Sequence, residues 1–222
     1  MVLLDASNPF LRKYFPWWLK NHETSLQMIA ETLPKCRDES LQQEVEKALY
    51  EGRSSRYLAV VFDIDEVLLC NTHHTLQDDF SIADFFIDPA SGECWERLSQ
   101  NDPPLPGALQ LITQAVNLGL RVFFVTGRRE SLREQTLDDF RRAGFTRSEA
   151  FPKAPLQLGQ LEETLLMYPD SSPPPIQRWK EQQREIIQKN YRIVANIGDQ
   201  VSDMGRHTDN NFLTPHPFYT TT

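Results

Sequence analysis

The sequence predicts an α/β fold, an open and mostly parallel sheet flanked by helices, and three segments carry that prediction. YLAVVFDIDEVLL (Tyr57 to Leu69), RVFFVTGR (Arg121 to Arg128) and RIVANIGDQVSD (Arg192 to Asp203) are apolar runs that end abruptly in acid, hydroxyl or glycine. Short continuous apolar runs read as buried strands. Polar residues at their ends are how an open α/β sheet places chemistry at the carboxyl edge of its strands.

The elements follow in order. Pro16 to Leu33 reads as a helix that opens with proline and closes at Pro34, and Asp38 to Tyr50 as a second, with Leu41, Val45, Ala48 and Leu49 on one face. Residues 1–56 are therefore expected to form a helical appendage packed on the sheet. Trp17 and Trp18 beside the first helix start are read as packing residues rather than a partner or membrane-surface anchor. The first strand starts at Tyr57. Helix Leu105 to Leu118, strand Leu120 to Val125 and helix Arg129 to Ala143 give a β-α-β-α rhythm, with Gly119 and Gly144 at C-cap positions. Right-handed crossovers between parallel strands are the default for such spacing. Phe151 to Leu158 is a candidate short strand, weakened by its prolines. Asp170 to Pro175, which ends in three consecutive prolines, reads as a stiff loop. Helix Gln177 to Lys189, strand Arg192 to Ile197 and a short strand Asn211 to Leu213 complete the sheet.

Composition bounds the function classes. The chain has 222 residues, 40% of them hydrophobic and 24% charged, which suits one globular domain with an appendage. A formal net charge of -8 argues against an extended nucleic-acid surface, which needs clustered Lys and Arg. No apolar run reaches the roughly 18 residues of a membrane span. Cys36, Cys70 and Cys94 are scattered and odd in number, which points to reduced thiols, with one disulfide plus a free thiol as the alternative. The apolar start before Asp5 is too short for a signal peptide core, so the expectation is a cytoplasmic protein. Secretion through another signal, or after removal of a leader, is the competing expectation.

The motifs sharpen this into a family. FDIDEVLL, then LPGALQL ahead of FFVTGR, then Lys180 with Arg184 four residues on, then YRIVANIGDQVSD and a terminal Pro-x-Pro-Phe-Tyr occur in that order. A lone DxD is weak, since it also occurs in glycosyltransferases and Toprim domains. The ordered set resembles the haloacid dehalogenase (HAD) superfamily of phosphotransferases. Within it, the set resembles the acid phosphatase branch of class B and class C-like enzymes, plant acid phosphatases and vegetative storage proteins. The likeness covers roughly residues 57 to 219, and the N-terminal fifty residues carry no such signature.

The resemblance implies a HAD-type Rossmann-like domain over 57–222, with a small cap or insertion at about 71–104 after the first strand. It implies an aspartyl-phosphate mechanism, with Asp63 as nucleophile at a strand end and Asp65 as general acid and then general base. Thr126, Gly127, Arg128 and Lys180 are the implied phosphate-binding set, with Thr126 and Lys180 also counted as catalytic. Arg128 has two readings, phosphate contact or a salt bridge to an acid. Asp63, the backbone carbonyl of Asp65 and Asp199 are the implied ligands of Mg²⁺, an all-oxygen set. Asp203 is expected behind them, on a metal-bound water or on Lys180, and Arg184 as a supporting partner. Helix-cap roles for Asp199 and Asp203 are compatible with this.

His73, His74, His207 and His216 lack zinc-site spacing. A loop role is the default for His73 and His74, which lie in the insertion with Phe80, Phe85, Phe86 and Trp95, candidates for a leaving-group wall or plain core cover. The expected partner is a small phosphomonoester, such as a nucleotide, an aryl phosphate or phosphotyrosine. Two rivals remain. One is a non-catalytic storage or phosphate-ligand-binding protein on the same fold, against which the presence of Asp63, Asp65, Thr126, Lys180 and Asp199 argues. The other is a receiver-type signalling domain, whose acidic pair ordinarily precedes the phospho-acceptor strand rather than opening the sheet.

Overall fold

A computed structural model of the chain describes residues 9–52, 56–70, 102–146, 163–206, 208 and 210–216, with residues 9–15 described as backbone only. Helix α1 (Pro9–Glu51) precedes β1 (Tyr57–Phe62), α2 (Ala108–Asn117), β2 (Arg121–Arg129) and α3 (Arg133–Arg142). Then come β3 (Leu165–Tyr168), α4 (Ile176–Gln188), β4 (Tyr191–Gly198) and β5 (Asn211–Leu213). Single 3₁₀ turns lie at Glu130–Leu132 and Val201–Asp203.

The strands form one sheet in the order β3-β2-β1-β4-β5, and every pairing is parallel. The chain builds outward from β1 through β2 to β3, then returns to place β4 on the other side of β1. That reversal is a topological switch point, where open α/β sheets leave a crevice outside the carboxyl ends of their strands. It falls between β1 and β4, whose ends carry Asp63 and Asp199.

Alternation along the strands divides the core. Val60, Phe62, Val122 and Phe124 join the cluster that holds α1, α2 and α3 residues. Ala59, Val61, Phe123 and Val125 face Trp179 and Ile187 of α4. Both faces are thus covered, as a parallel sheet requires. Strand β4 breaks the alternation: Ala59 pairs with Ile193 and Val60 with Ala195, so Val194 is an extra residue and both Val194 and Ala195 face the larger cluster.

Three expectations are corrected. The break at Pro34 is not observed, because α1 runs unbroken through Pro16 and Pro34. An internal proline costs about 3 kcal/mol, but Leu26, Ile29, Leu33 and Cys36 are buried on both sides of it. Each large side chain so buried contributes about 1.5–3 kcal/mol, which outweighs the missing hydrogen bond. The apolar face Leu41, Val45 and Leu49 is exposed, at 42%, 46% and 79%. Ser40 and Glu44 are buried instead, because Glu44 pairs with Arg56 at 2.7 Å and with Arg192 at 3.3 Å. An ion-paired acid has overridden the periodicity of the apolar residues. Burial opposes ionisation of Glu44, but hydrogen bonds and charge from Arg56, with help from Arg192, hold its pKa down at about 2. Third, β3 at Leu165–Tyr168 was missed, and the candidate strand Phe151 to Leu158 lies outside the described residues. Gly119 and Gly144 do follow their helices in the left-handed region, at φ 74° and 84°.

Trp18 is fully buried and Trp17 is 61% exposed, so the packing role falls to the former. Cys36 is a buried free thiol, and Cys70 is buried as well. Among the described residues, no helix is long and apolar enough to cross a membrane.

One buried group of α1 predicts a pH response. His22 has no exposed surface, and burial lowers its pKa from 6.5 to about 4 against a raising hydrogen bond to Glu66. The unfolded chain therefore binds more protons between these values. This group's contribution to stability is complete above pH 6.5 and lost as pH falls toward 4, by on the order of 3 kcal/mol. Denaturant unfolding across that window should show the slope, and His22→Gln should flatten it. An unchanged slope in the variant would assign the acid sensitivity to other groups.

Candidate active site

Four elements bring the site together at the carboxyl edge of the sheet. Asp63 follows β1, and its backbone N–H donates to the carbonyl of Ile197 at 2.9 Å, which ties the end of β1 to β4. Asp199 follows Gly198 at the end of β4, and Asp203 closes the 3₁₀ turn beyond it. Lys180 comes from α4, on a helix face that also buries Trp179, Arg184 and Ile187. Its ammonium is 3.0 Å from Asp63 Oδ1 and donates to Asp203 Oδ1, with only 3% of the side chain exposed. A lysine so buried requires such partners: burial opposes its charge, but Asp203 and Asp63 raise its pKa above the usual lysine value.

Carboxylate oxygens of Asp63, Asp199 and Asp203 lie within 4.8 Å of one another, all buried. Burial and the neighbouring Asp203 push Asp63 up to about 7, against the opposing pull of Lys180. Asp199 is pushed up by burial and by the charges of Asp203 and Asp63. The single ammonium therefore leaves this cluster short of positive charge. Gln200 donates its amide to Asp199 at 2.7 Å, and its backbone N–H donates to Asp203 Oδ2 at 2.9 Å. Arg184, 1% exposed, donates to the carbonyls of Ser202 at 2.8 Å and Met204 at 3.2 Å, holding the turn that presents Asp203. Gly198 is required by close approach, since a Cβ there would collide with the side chain of Asp203.

A second buried cluster adjoins the first. Arg128, 2% exposed, meets Asp65 at 2.6 Å, Asp102 at 2.5 Å and Asp139 at 3.1 Å. Its Nη1 also reaches Thr136 Oγ1 at 3.4 Å, and Nε donates to both oxygens of Asp65. All five guanidinium N–H groups thus have acceptors within the protein. Of the two readings of Arg128, the salt bridge to an acid is the arrangement observed. Thr126, fully buried in β2, accepts the backbone N–H of Arg128 at 3.1 Å.

The sequence-predicted residues therefore fall into two groups, Asp63, Lys180, Asp199 and Asp203 in one and Asp65 with Arg128 in the other. Thr126 adjoins the second through the backbone of Arg128. Sequence reading missed Asp102, Thr136 and Asp139. Asp139 carried a usable signal, because it sits among Thr136, Leu137 and Phe140 on the buried face of α3. A charge there needs a buried counterion. His216, read from sequence only as lacking zinc spacing, has Nε2 3.7 Å from Asp199 Oδ2. His73, His74 and the aromatic residues of the insertion, like His207, lie outside the described residues.

A family model described as HAD superfamily, subfamily IIIB (acid phosphatase), matches residues 25–222. The chain belongs to that family. Among its relatives, acid phosphatase 1 of Solanum lycopersicum is 27% identical over 162 residues, covering 72% of this chain and 57% of the relative. Vegetative storage protein 2 of Arabidopsis thaliana is 27% identical over 161 residues, with 72% and 55% covered. The chain thus spans just over half the length of these relatives. The fold is also that of a class C acid phosphatase from Bacillus anthracis, solved with tungstate bound, at a TM-score of 0.58 and 15% identity over 95% of this chain and 83% of that one.

Proposed function

We propose that the chain is a Mg²⁺-dependent phosphomonoesterase acting through an aspartyl-phosphate on Asp63. The observation that carries this reading is the setting of the Asp63 carboxylate. It ends the central strand, 3.0 Å from a buried ammonium and beside two further carboxylates. A carboxylate held this rigidly is suited to in-line attack on phosphorus. An oxygen of Asp63 bonds to phosphorus as the ester oxygen departs, and Asp65 gives that oxygen its proton. Water then attacks the phosphorus, Asp65 takes the water's proton, and phosphate leaves with Asp63 restored. Thr126 and the backbone at Gly127 hold phosphoryl oxygens, while Lys180 balances charge on Asp63 and the phosphoryl group.

The donor set fits a hard divalent cation. The carboxylate oxygens of Asp63, Asp199 and Asp203 are buried, and burial together with the neighbouring carboxylate charges raises the pKa values of Asp63 and Asp199 against the pull of one lysine. Asp63, Asp199 and the backbone carbonyl of Asp65 would hold Mg²⁺, with Asp203 bound to Lys180 behind them. When bound, the ion supplies the positive charge that lets a phosphate dianion enter among carboxylates.

The substrate class is a small phosphomonoester, whose leaving group we assign to residues 71–104. Turnover of an aryl phosphate should vanish with EDTA and return with Mg²⁺. Full activity in protein shown by metal analysis to be metal-free would remove this mechanism. The match to a vegetative storage protein favours a second reading, a storage protein on the same fold. Absence of turnover on nucleotide, sugar and aryl esters with Mg²⁺ present would support it.

A further inference from the structure

Helix α1 reaches the site at two points one turn apart. His22 places Nε2 2.9 Å from the carbonyl oxygen of Glu66. A carbonyl only accepts, so Nε2 carries the hydrogen and Nδ1 is bare. Among the described residues the buried Nδ1 has no hydrogen-bond partner, which agrees with a neutral ring. Four residues earlier, Trp18 donates its indole N–H to the carbonyl of Pro215 at 2.7 Å. The two rings pack together with centroids 5.6 Å apart.

Each carbonyl adjoins a site residue. Glu66 follows Asp65 in a tight turn in which the N–H groups of Leu68 and Leu69 both donate to the carbonyl of Ile64, at 2.8 and 3.0 Å. Glu66 itself has φ 56°, a left-handed conformation that costs a residue with a Cβ about 1–2 kcal/mol and persists only where the surroundings enforce it. Pro215 precedes His216, the neighbour of Asp199. Trp18 and His22 both precede residue 25, where the family match begins.

We propose that Trp18 and His22 are positioning residues, a clamp by which α1 fixes the turn carrying Asp65 and the segment beside Asp199. His22 holds the strained Glu66 peptide in the orientation that aims Asp65, and Trp18 holds the Pro215 peptide that seats His216. Helix α1 is then part of the active site rather than an appendage. The catalytic half of this inference rests on the reading of Asp63 and Asp65 as the reacting pair.

The test uses the full chain with His22→Leu, His22→Gln and Trp18→Phe. Glutamine can donate an N–H to the Glu66 carbonyl, leucine cannot, and phenylalanine keeps a ring while losing the indole donor. Hydrogen exchange read by mass spectrometry should quicken in His22→Leu by about tenfold over residues 64–70, as for the loss of one hydrogen bond. Exchange across Tyr191–Gly198 should not change. Trp18→Phe should quicken exchange over residues 211–216, and this arm decides the matter if His22→Leu does not fold. On an aryl phosphate, His22→Leu should lower kcat by about tenfold with KM nearly unchanged, and His22→Gln should recover most of both effects. Unchanged exchange over 64–70, equal loosening of β4, wild-type kcat in a loosened variant, or no recovery with glutamine would each overturn the clamp. A wild-type protein without phosphatase activity but with the expected exchange pattern would overturn the phosphatase reading and leave the structural clamp standing.

Discussion

Asp63→Asn is expected to abolish turnover, by on the order of 10⁴-fold or more, because the amide cannot form the bond to phosphorus that divides the reaction in two. The fold should not suffer. Burial and the charge of Asp203 oppose ionisation of Asp63 and push its pKa up to about 7, so replacing the carboxylate by a neutral amide relieves repulsion in the absence of metal. Lys180 keeps its hydrogen bond to Asp203. Thermal unfolding of the metal-free variant should therefore occur at or above the wild-type temperature. A folded Asp63→Asn protein with wild-type turnover, free of contaminating phosphatase, would show the nucleophile to be another residue.

Asp65→Asn is the second large effect, a loss on the order of 10²- to 10⁴-fold. The asparagine keeps the backbone carbonyl and one side-chain acceptor for Arg128, which also retains Asp102 and Asp139. What it lacks is a proton to give. The loss should therefore depend on the leaving group, larger for an alkyl ester that needs protonation and smaller for an aryl ester that departs readily as an anion. Measurement of kcat/KM over a series of esters separates these cases. A loss of equal proportion across the series would mean that Asp65 positions substrate or metal and does not transfer the proton.

The sheet was legible because strands buried on both faces must be apolar, and Tyr57 to Phe62, Arg121 to Val125 and Arg192 to Ile197 are almost uninterrupted apolar runs. The polar residues ending those runs marked Asp63, Thr126 and Asp199, since a charged or hydroxyl group after such a run needs a reason to be there. Lys180 was legible only through resemblance, as an isolated helical lysine has no distinguishing local pattern. The α1 break was misread because Pro34 is a local signal, whereas the buried row from Trp18 to Glu44 depends on a sheet far along the chain. Strand β3 has only four residues, too short for its alternation to stand out. Asp102, Asp139 and His22 were missed for a related reason. Each is defined by a partner on another element, Arg128 for the two acids and the Glu66 carbonyl for the histidine.

The central claim is that Asp63 becomes phosphorylated. Wild-type protein with Mg²⁺ and an aryl phosphate, quenched in acid during turnover and digested, should yield a phosphorylated peptide with the phosphate on Asp63 by mass spectrometry. The same treatment of Asp63→Asn should yield none. Burst kinetics with the label on another residue, or turnover through water attack with no phosphoenzyme at any quench time, would contradict the account.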